Sequence, residues 1–155
     1  MTLSSVAHDT FVIERIYDVS VAQTFRAWAD PVLKARWFAG SAEALGVGYE
    51  LDFRVGGREV NRGGPPGGPL YTFESEFRDI VPEQRIVYTN EMYADETRIS
   101  VSLATVQFCR QGAATQLILT EQGVFLDGHD NVAQREEGTR SLLDSLAAVL
   151  NGGSS

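Results

Sequence analysis

Two carboxylates and a phenol are the side chains of this sequence best suited to chemistry on a small molecule: Glu91, Glu121 and Tyr88. Each could act as an acid or a base toward a ligand held in an enclosed site. Glu121 continues an alternating strand pattern that begins at Leu117, which would point it inwards. An inward carboxylate needs either a raised pKa or an ion pair, and Arg135 is a suitable partner. A carboxylate at a strand end that faces water is equally compatible with the pattern.

Other kinds of catalytic or cofactor site have no support in the sequence. The histidines, His8 and His129, are far apart, so a cluster of imidazoles that could bind a metal is not expected. The glycines at 46, 48 and 63–68 do not precede a helix, so no phosphate-binding loop is predicted. Cys109 lies among strand residues, without the surroundings of a nucleophile. The sequence therefore predicts neither a metal site nor a cofactor.

Composition and charge restrict the class of protein. A chain of 155 residues is long enough for one compact domain with a full core. The net charge is −8 and Lys34 is the only lysine, so repulsion disfavours binding to nucleic acid or to an anionic membrane. One cysteine allows no internal disulfide, and neither a signal-peptide pattern nor a membrane-length apolar run is present. We therefore expect a soluble cytoplasmic protein.

The first part of the chain has the pattern of one strand and two short helices. We expect residues 1–9 to be flexible and residues 10–17 to form a strand. Ser20 is a suitable N-cap for the first helix. Asp30 and Pro31 suit the N-cap and the first position of the second helix.

The middle of the chain has the two-residue period of β-strands. Residues 49–55 alternate, Gly56-Gly57 is a hairpin signal, and residues 58–62 would form the returning strand. Four longer strands are predicted at 70–80, 85–93, 98–110 and 115–125. The connections are short and none contains a crossover helix, so we expect an antiparallel meander. The segment 63–69, rich in glycine and proline, is either a lid or only a long hairpin connection.

The segment 129–150 is predicted to be the helix that covers this sheet, followed by a flexible tail at 152–155. Its apolar residues recur at helical spacing and form one stripe. Gly138 and Thr139 are small and lie at its centre, which would leave either a close backbone contact or a cavity beneath them.

A cavity below this helix would be lined by aromatic side chains with a few polar anchors, as pockets for small organic molecules usually are. Ordinary core packing is the simpler interpretation for any one of these residues, but the set favours a pocket. The candidate anchors are Tyr88, Asn90, Glu121 and Thr139. The predicted lining is Trp37, Phe53, Tyr71, Phe73, Tyr88, Asn90, Met92, Leu103, Glu121, Gly138, Thr139 and Leu142.

The order of elements and several short motifs resemble one known family. The motifs are Trp37-Phe38, Arg54-Val55-Gly56-Gly57, Asp79-Ile80-Val81-Pro82 before Arg85-Ile86-Val87-Tyr88, and Thr115 at the start of the last strand. Over roughly residues 10–150 the chain resembles the small proteins related to the C-terminal domain of the activator of Hsp90 ATPase. That family belongs to the START/Bet v 1-like superfamily.

The resemblance implies an α+β helix-grip fold in a single domain at 10–151. Its parts are a curved antiparallel sheet of about seven strands, two short helices after the first strand, and a long C-terminal helix over the sheet. It also implies a deep cavity, which the superfamily uses for apolar ligands and in some members for catalysis. Many members have Gly-Trp where this chain has Gly138-Thr139. Replacing an indole by threonine should widen the pocket or change what it recognises.

Three functions are compatible with these patterns. The first is binding of a small apolar or aromatic molecule without covalent chemistry. The second is a cavity-based enzyme of the cyclase or hydrolase kind, and the third is an interaction module like a co-chaperone. A chaperone partner is not expected, because the chain lacks room for the additional N-terminal domain of the eukaryotic co-chaperone. A homodimer is compatible with the sequence.

Overall fold

Residues 4–152, which the computed structural model describes, form one seven-stranded sheet and three α-helices. In chain order the elements are β1 (Val6–Tyr17), α1 (Val21–Ala29), α2 (Pro31–Phe38), a short 3₁₀ helix (Ala42–Ala44), β2 (Tyr49–Leu51), β3 (Arg58–Gly63), β4 (Tyr71–Val81), β5 (Arg85–Ala94), β6 (Thr97–Gln111), β7 (Ala114–Leu126) and α3 (Val132–Leu150). This element order agrees with the sequence prediction.

The sheet is a curved antiparallel meander with one long-range pairing. Its strand order is β1-β7-β6-β5-β4-β3-β2, so β1 pairs with the last strand while the other neighbours follow the chain. Helix α3 packs on the inner face, where Leu143 and Leu146 join the core formed with Ile13 and Leu117. The predicted helix-grip α+β fold is confirmed.

Helices α1 and α2 begin at the residues that the sequence marks as caps. Ser20 Oγ accepts a hydrogen bond from the Gln23 amide at 3.1 Å, and Asp30 Oδ1 accepts one from the Val32 amide at 2.9 Å. Helix α3 begins three residues later than predicted, because Asn131 serves as its N-cap. None of the described helices combines the length and apolar character that a membrane crossing requires.

Strand β1 begins earlier than predicted. It starts at Val6, which pairs with Leu126, so residues 6–9 belong to the strand instead of preceding it. The polar sequence in this stretch carries no strand signal of its own, but the long partner β7 supplies backbone hydrogen-bond partners. Residues 1–3 and 153–155, also expected to be flexible, lie outside the described residues.

Strand β2 is shorter than predicted, so Phe53 lies outside the strand and not on its inner face. The strand ends at Leu51, and residues 52–57 turn back tightly toward β3. A Cβ on Gly57 would lie 2.1 Å from the Asp52 carbonyl oxygen, so this turn requires glycine. The apolar and polar residues alternate as far as Val55, which predicted a strand to that point. In the structure Val55 belongs to the turn and is exposed.

Strand β6 contains a bulge that reverses the predicted side of Leu103. Tyr93 pairs with Arg98 and Met92 pairs with Ser100, which leaves Ile99 as an additional residue. Beyond the bulge, the inner face carries the buried residues Ser100, Ser102 and Ala104. Leu103 is on the outer face and 38% exposed. One additional residue exchanges the two faces of a strand.

Gly138 lies on the solvent side of α3, and we predict that Gly138→Ala stabilises the protein. A Cβ at this position would contact nothing within 4 Å, and the residue lies in the helix interior. Alanine should therefore raise the free energy of unfolding by about 1 kcal/mol, because it reduces the backbone entropy of the unfolded chain. Chemical denaturation measures this change. Gly57→Ala is the opposite control, and a loss of stability in Gly138→Ala would contradict the prediction.

Candidate functional site

A cavity of about 270 Å³ lies between the inner face of the sheet and the helices α1, α2 and α3. Strands β3, β4, β5 and β7 form its floor, and α3 forms its roof. Nine of the residues that the sequence nominated lie around this cavity: Trp37, Tyr71, Phe73, Tyr88, Asn90, Met92, Glu121, Thr139 and Leu142. Their role in binding stays a prediction.

The three other nominated residues lie elsewhere. Phe53 packs edge-on against Phe25 and Phe77, with ring centroids 5.7 and 5.0 Å away, and so belongs to the core beside α1. Leu103 is on the outer face of the sheet because of the bulge in β6. Gly138 points away from the cavity, so Thr139 alone supplies the small surface expected from this pair.

One side of the cavity is an aromatic wall, formed by Trp28, Trp37, Phe38 and Phe73. Trp28 and Trp37 meet edge-on with ring centroids 4.8 Å apart, and Phe38 continues the series to Phe73 at 5.2 Å. The Trp37 indole donates a hydrogen bond to the Ala27 carbonyl at 2.9 Å, which fixes its orientation. The Trp28 indole nitrogen is buried without a hydrogen-bond partner among the described residues. Helices α1 and α2, together with Phe73 of β4, thus form an apolar surface.

Glu121 forms the expected ion pair with Arg135 on the roof helix. Arg135 Nη1 lies 2.8 Å from Glu121 Oε2, and Arg135 Nη2 lies 2.9 Å from Asp130 Oδ2. The same guanidinium donates to the hydroxyls of Ser100 at 2.5 Å and Ser102 at 3.4 Å. We call these five residues the Arg135 network. It attaches α3 to β6 and β7 at one end of the cavity.

Tyr88 and Asn90 follow each other on the inner face of β5. Burial, and secondarily the nearby charge of Glu121, raises the pKa of the Tyr88 phenol far above its usual range, so the phenol stays neutral. Asn90 is 3% exposed, and its Oδ1 has no hydrogen-bond partner in the described part of the chain. Its neighbour across the strands, Ser75, also has a buried hydroxyl without a partner within residues 4–152.

A buried ion pair lies directly behind the aromatic wall. Lys34 Nζ contacts Glu59 Oε2 at 2.8 Å, and the Tyr49 hydroxyl donates to the same oxygen at 2.6 Å. The ammonium also lies 4.9 Å from the ring centroid of Trp28 and 4.6 Å from that of Phe38. The sequence analysis missed this group. The sequence offered one signal for it, the spacing on the second helix. Lys34 lies three residues before Trp37 and four before Phe38, so the three side chains share one face of that helix.

Other candidate groups of the sequence are not brought into the cavity. Glu91 lies on the outer side of β5 and pairs with Arg98 at 2.8 Å. His8 and His129 are exposed, and Cys109 is a partly buried residue of β6. No group of three or more histidine, cysteine, aspartate or glutamate side chains within residues 4–152 is arranged to hold a metal ion.

Several lining residues were missed because their exposure to the cavity depends on how elements pack. Trp28, Phe38, Leu119 and Leu143 have the apolar periodicity of ordinary core positions, which does not separate cavity walls from solid core. The others are Asn61, Gly63 and Arg135, and Arg135 had been considered only as a partner for Glu121.

A curved antiparallel sheet packed against a long C-terminal helix, with two short helices after the first strand, defines the helix-grip class of α+β proteins, the START/Bet v 1-like superfamily. Within that class, residues 18–151 match the family described as Activator of Hsp90 ATPase homolog 1-like protein, and the chain belongs to this family. This confirms the resemblance seen in the sequence motifs.

Solved structures show the same fold at two levels of similarity. An uncharacterised protein from Rhizobium leguminosarum is 43% identical with a TM-score of 0.91, and the match covers 97% of this chain and 99% of the other. Mll3558 from Rhizobium loti is 46% identical with a TM-score of 0.86, covering 93% and 98%. DynU16, from the dynemicin biosynthetic locus, is 19% identical with a TM-score of 0.69, covering 94% and 48%, and shows the fold alone. The search of curated proteins found no match.

Proposed function

We propose that this protein binds a small apolar or aromatic molecule in the cavity between the sheet and α3. The observation that carries the proposal is a partly open cavity of about 270 Å³ that has an aromatic wall on one side and buried polar side chains on the other. A solid core would bring these side chains into mutual contact. Glu121 and Tyr88 instead present polar atoms that a ligand could satisfy, and of their side-chain oxygens only Glu121 Oε2 has a hydrogen-bond partner among the described residues.

The size of the cavity indicates a ligand of one or two rings. Pockets for drug-sized ligands have roughly 300–1,000 Å³, and an engineered apolar cavity of about 150 Å³ accepts benzene. A volume between these values suits a flat bicyclic molecule. The edge-on pairs of the aromatic wall provide ring edges and faces against which such a molecule can stack.

Naphthalene is a suitable first probe, because it is apolar, uncharged and bicyclic. We expect it to bind with a Kd of roughly 10–100 µM, the range for a ligand of this size that loses most of its surface to an apolar site. Titration of isotope-labelled protein, followed by NMR amide shifts, measures the affinity and locates the site. The largest shifts should fall at Tyr88, Met92 and Thr139. Shifts confined to the outer face around Leu103, or none at saturating probe, would contradict the proposal.

An acid–base enzyme has weaker support at this site. Of its three candidate residues, Glu91 lies on the other side of the sheet, paired with Arg98. Glu121 faces the cavity but is held by Arg135. The raised pKa of the Tyr88 phenol makes it a poor proton donor or acceptor near neutral pH. A binding role needs no free acid or base in the cavity, whereas a cyclase or hydrolase does.

A further inference from the structure

The charges around the cavity are not balanced. In the Arg135 network one guanidinium faces two carboxylates, Glu121 at 2.8 Å and Asp130 at 2.9 Å, and all three side chains are largely buried. The other buried ion pair beside the cavity, Lys34 with Glu59, is neutral as a pair. The Arg135 network, which is the polar end of the cavity, therefore has an excess of one negative charge.

The hydrogen-bonding groups of the Arg135 network leave an acceptor free, while the donors of its guanidinium are occupied. Both terminal nitrogens of Arg135 are occupied by four acceptors, so the guanidinium has little capacity left for a ligand. Glu121 uses only Oε2, and no described residue bonds to its Oε1. Asn90 Oδ1 also has no partner among residues 4–152, but it is shielded from the cavity, so a ligand would not reach it. The neutral Tyr88 phenol lies in the same row of the sheet as Glu121, because both residues pair with Ala104 of β6.

We propose that the cavity selects aromatic molecules that are neutral or cationic and that carry an O–H or N–H donor. It would reject aromatic carboxylates. This inference rests on the proposed function. A donor on the ligand would satisfy Glu121 Oε1, and a buried acceptor that gains a partner recovers its desolvation cost. A ligand carboxylate would have to be buried beside a network that is already negative. No free cation among the described lining residues would compensate it.

Selectivity of this kind depends on repulsion as much as on attraction. The aromatic wall would accept the ring of either ligand, so it does not discriminate between them. The polar end decides, because it has excess negative charge and its cation is saturated, whereas the neutral Tyr88 phenol can donate a hydrogen bond but supplies no positive charge. Phenols and aromatic amines satisfy it, whereas aromatic acids do not.

Four probes that share one ring system test the inference: naphthalene, 2-naphthol, 2-methoxynaphthalene and 2-naphthoate. Calorimetric titration of the full chain near pH 7 and 0.1 M salt gives each Kd. We expect 2-naphthol to bind about tenfold more tightly than 2-methoxynaphthalene, the effect of roughly one net hydrogen bond. We expect 2-naphthoate to bind at least about a hundredfold more weakly than 2-naphthol.

A charge variant shows whether the Arg135 network is the cause. Glu121→Gln preserves shape and an oxygen for Arg135 but removes the excess charge, so binding of 2-naphthoate should improve at least about tenfold. Glu137→Gln, an exposed position of the same helix, removes one charge without changing the cavity and should leave the ranking unchanged. Thermal melting of both variants shows that they are folded.

The outcomes separate this inference from the proposed function. If naphthalene binds but 2-naphthoate binds as tightly as 2-naphthol, the selectivity is wrong while the cavity still binds aromatic molecules. If none of the four probes binds, both proposals are wrong. The four wild-type titrations decide the matter even if Glu121→Gln fails to fold.

Discussion

Replacing Lys34 by methionine is expected to lower the free energy of unfolding by about 3–5 kcal/mol, the usual cost of removing one partner of a buried ion pair. The side chains of Lys34 and Glu59 are 3% and 2% exposed, and the contact between them is 2.8 Å. Without the ammonium, the Glu59 carboxylate would be a buried charge with one remaining hydrogen bond, from Tyr49. Urea denaturation measures the loss.

A double variant distinguishes an unpaired charge from simple loss of packing. Lys34→Met with Glu59→Gln removes both charges, and the glutamine oxygen can still accept the Tyr49 hydroxyl. The double variant should therefore be more stable than Lys34→Met alone, because replacing both charges of a buried pair is often nearly neutral.

The exposed ion pair of Arg54 and Asp52 is the matched control, with side chains 68% and 54% exposed and atoms 2.9 Å apart. Arg54→Ala should change stability by less than about 1 kcal/mol. If Lys34→Met had an equally small effect, the buried pair would not stabilise the wall of the cavity as the geometry indicates.

Replacing Thr139 by tryptophan should remove binding of naphthalene, with a Kd raised at least about a hundredfold. Thr139 lies on the roof of the cavity, and its hydroxyl bonds back to the Arg135 carbonyl at 2.9 Å, so the side chain takes up little of the space. An indole there is bicyclic and would fill the volume that a bicyclic ligand needs. The same NMR titration measures the loss.

The control for this substitution is Glu137→Trp, which places the same indole on the exposed side of α3. It should bind naphthalene as the wild type does. Thr139→Trp should fold, with any overpacking costing roughly 1–3 kcal/mol. The family resemblance implies a tryptophan at this position in many members. Undiminished naphthalene binding by Thr139→Trp would show that the probe binds elsewhere.

The sequence by itself determined the elements and much of the inner face of the sheet. The two-residue and 3.6-residue periods depend only on local geometry, and so do the caps at Ser20 and Asp30. The phases of β4, β5 and β7 were correct because those stretches alternate without interruption up to the cavity. Glu121 could be matched to Arg135 since both lie on elements whose inward faces were predictable.

Only the tertiary structure decided the features that depend on registers and packing. The additional residue Ile99 in β6 is accommodated by pairing with β5, and it moved Leu103 to the outer face. The tight turn after Leu51 moved Phe53 into the core, and the rotation of α3 put Thr139 rather than Gly138 over the cavity. Periodicity shows which residues avoid water, but whether they meet one another or enclose a space depends on distances between elements far apart in the chain.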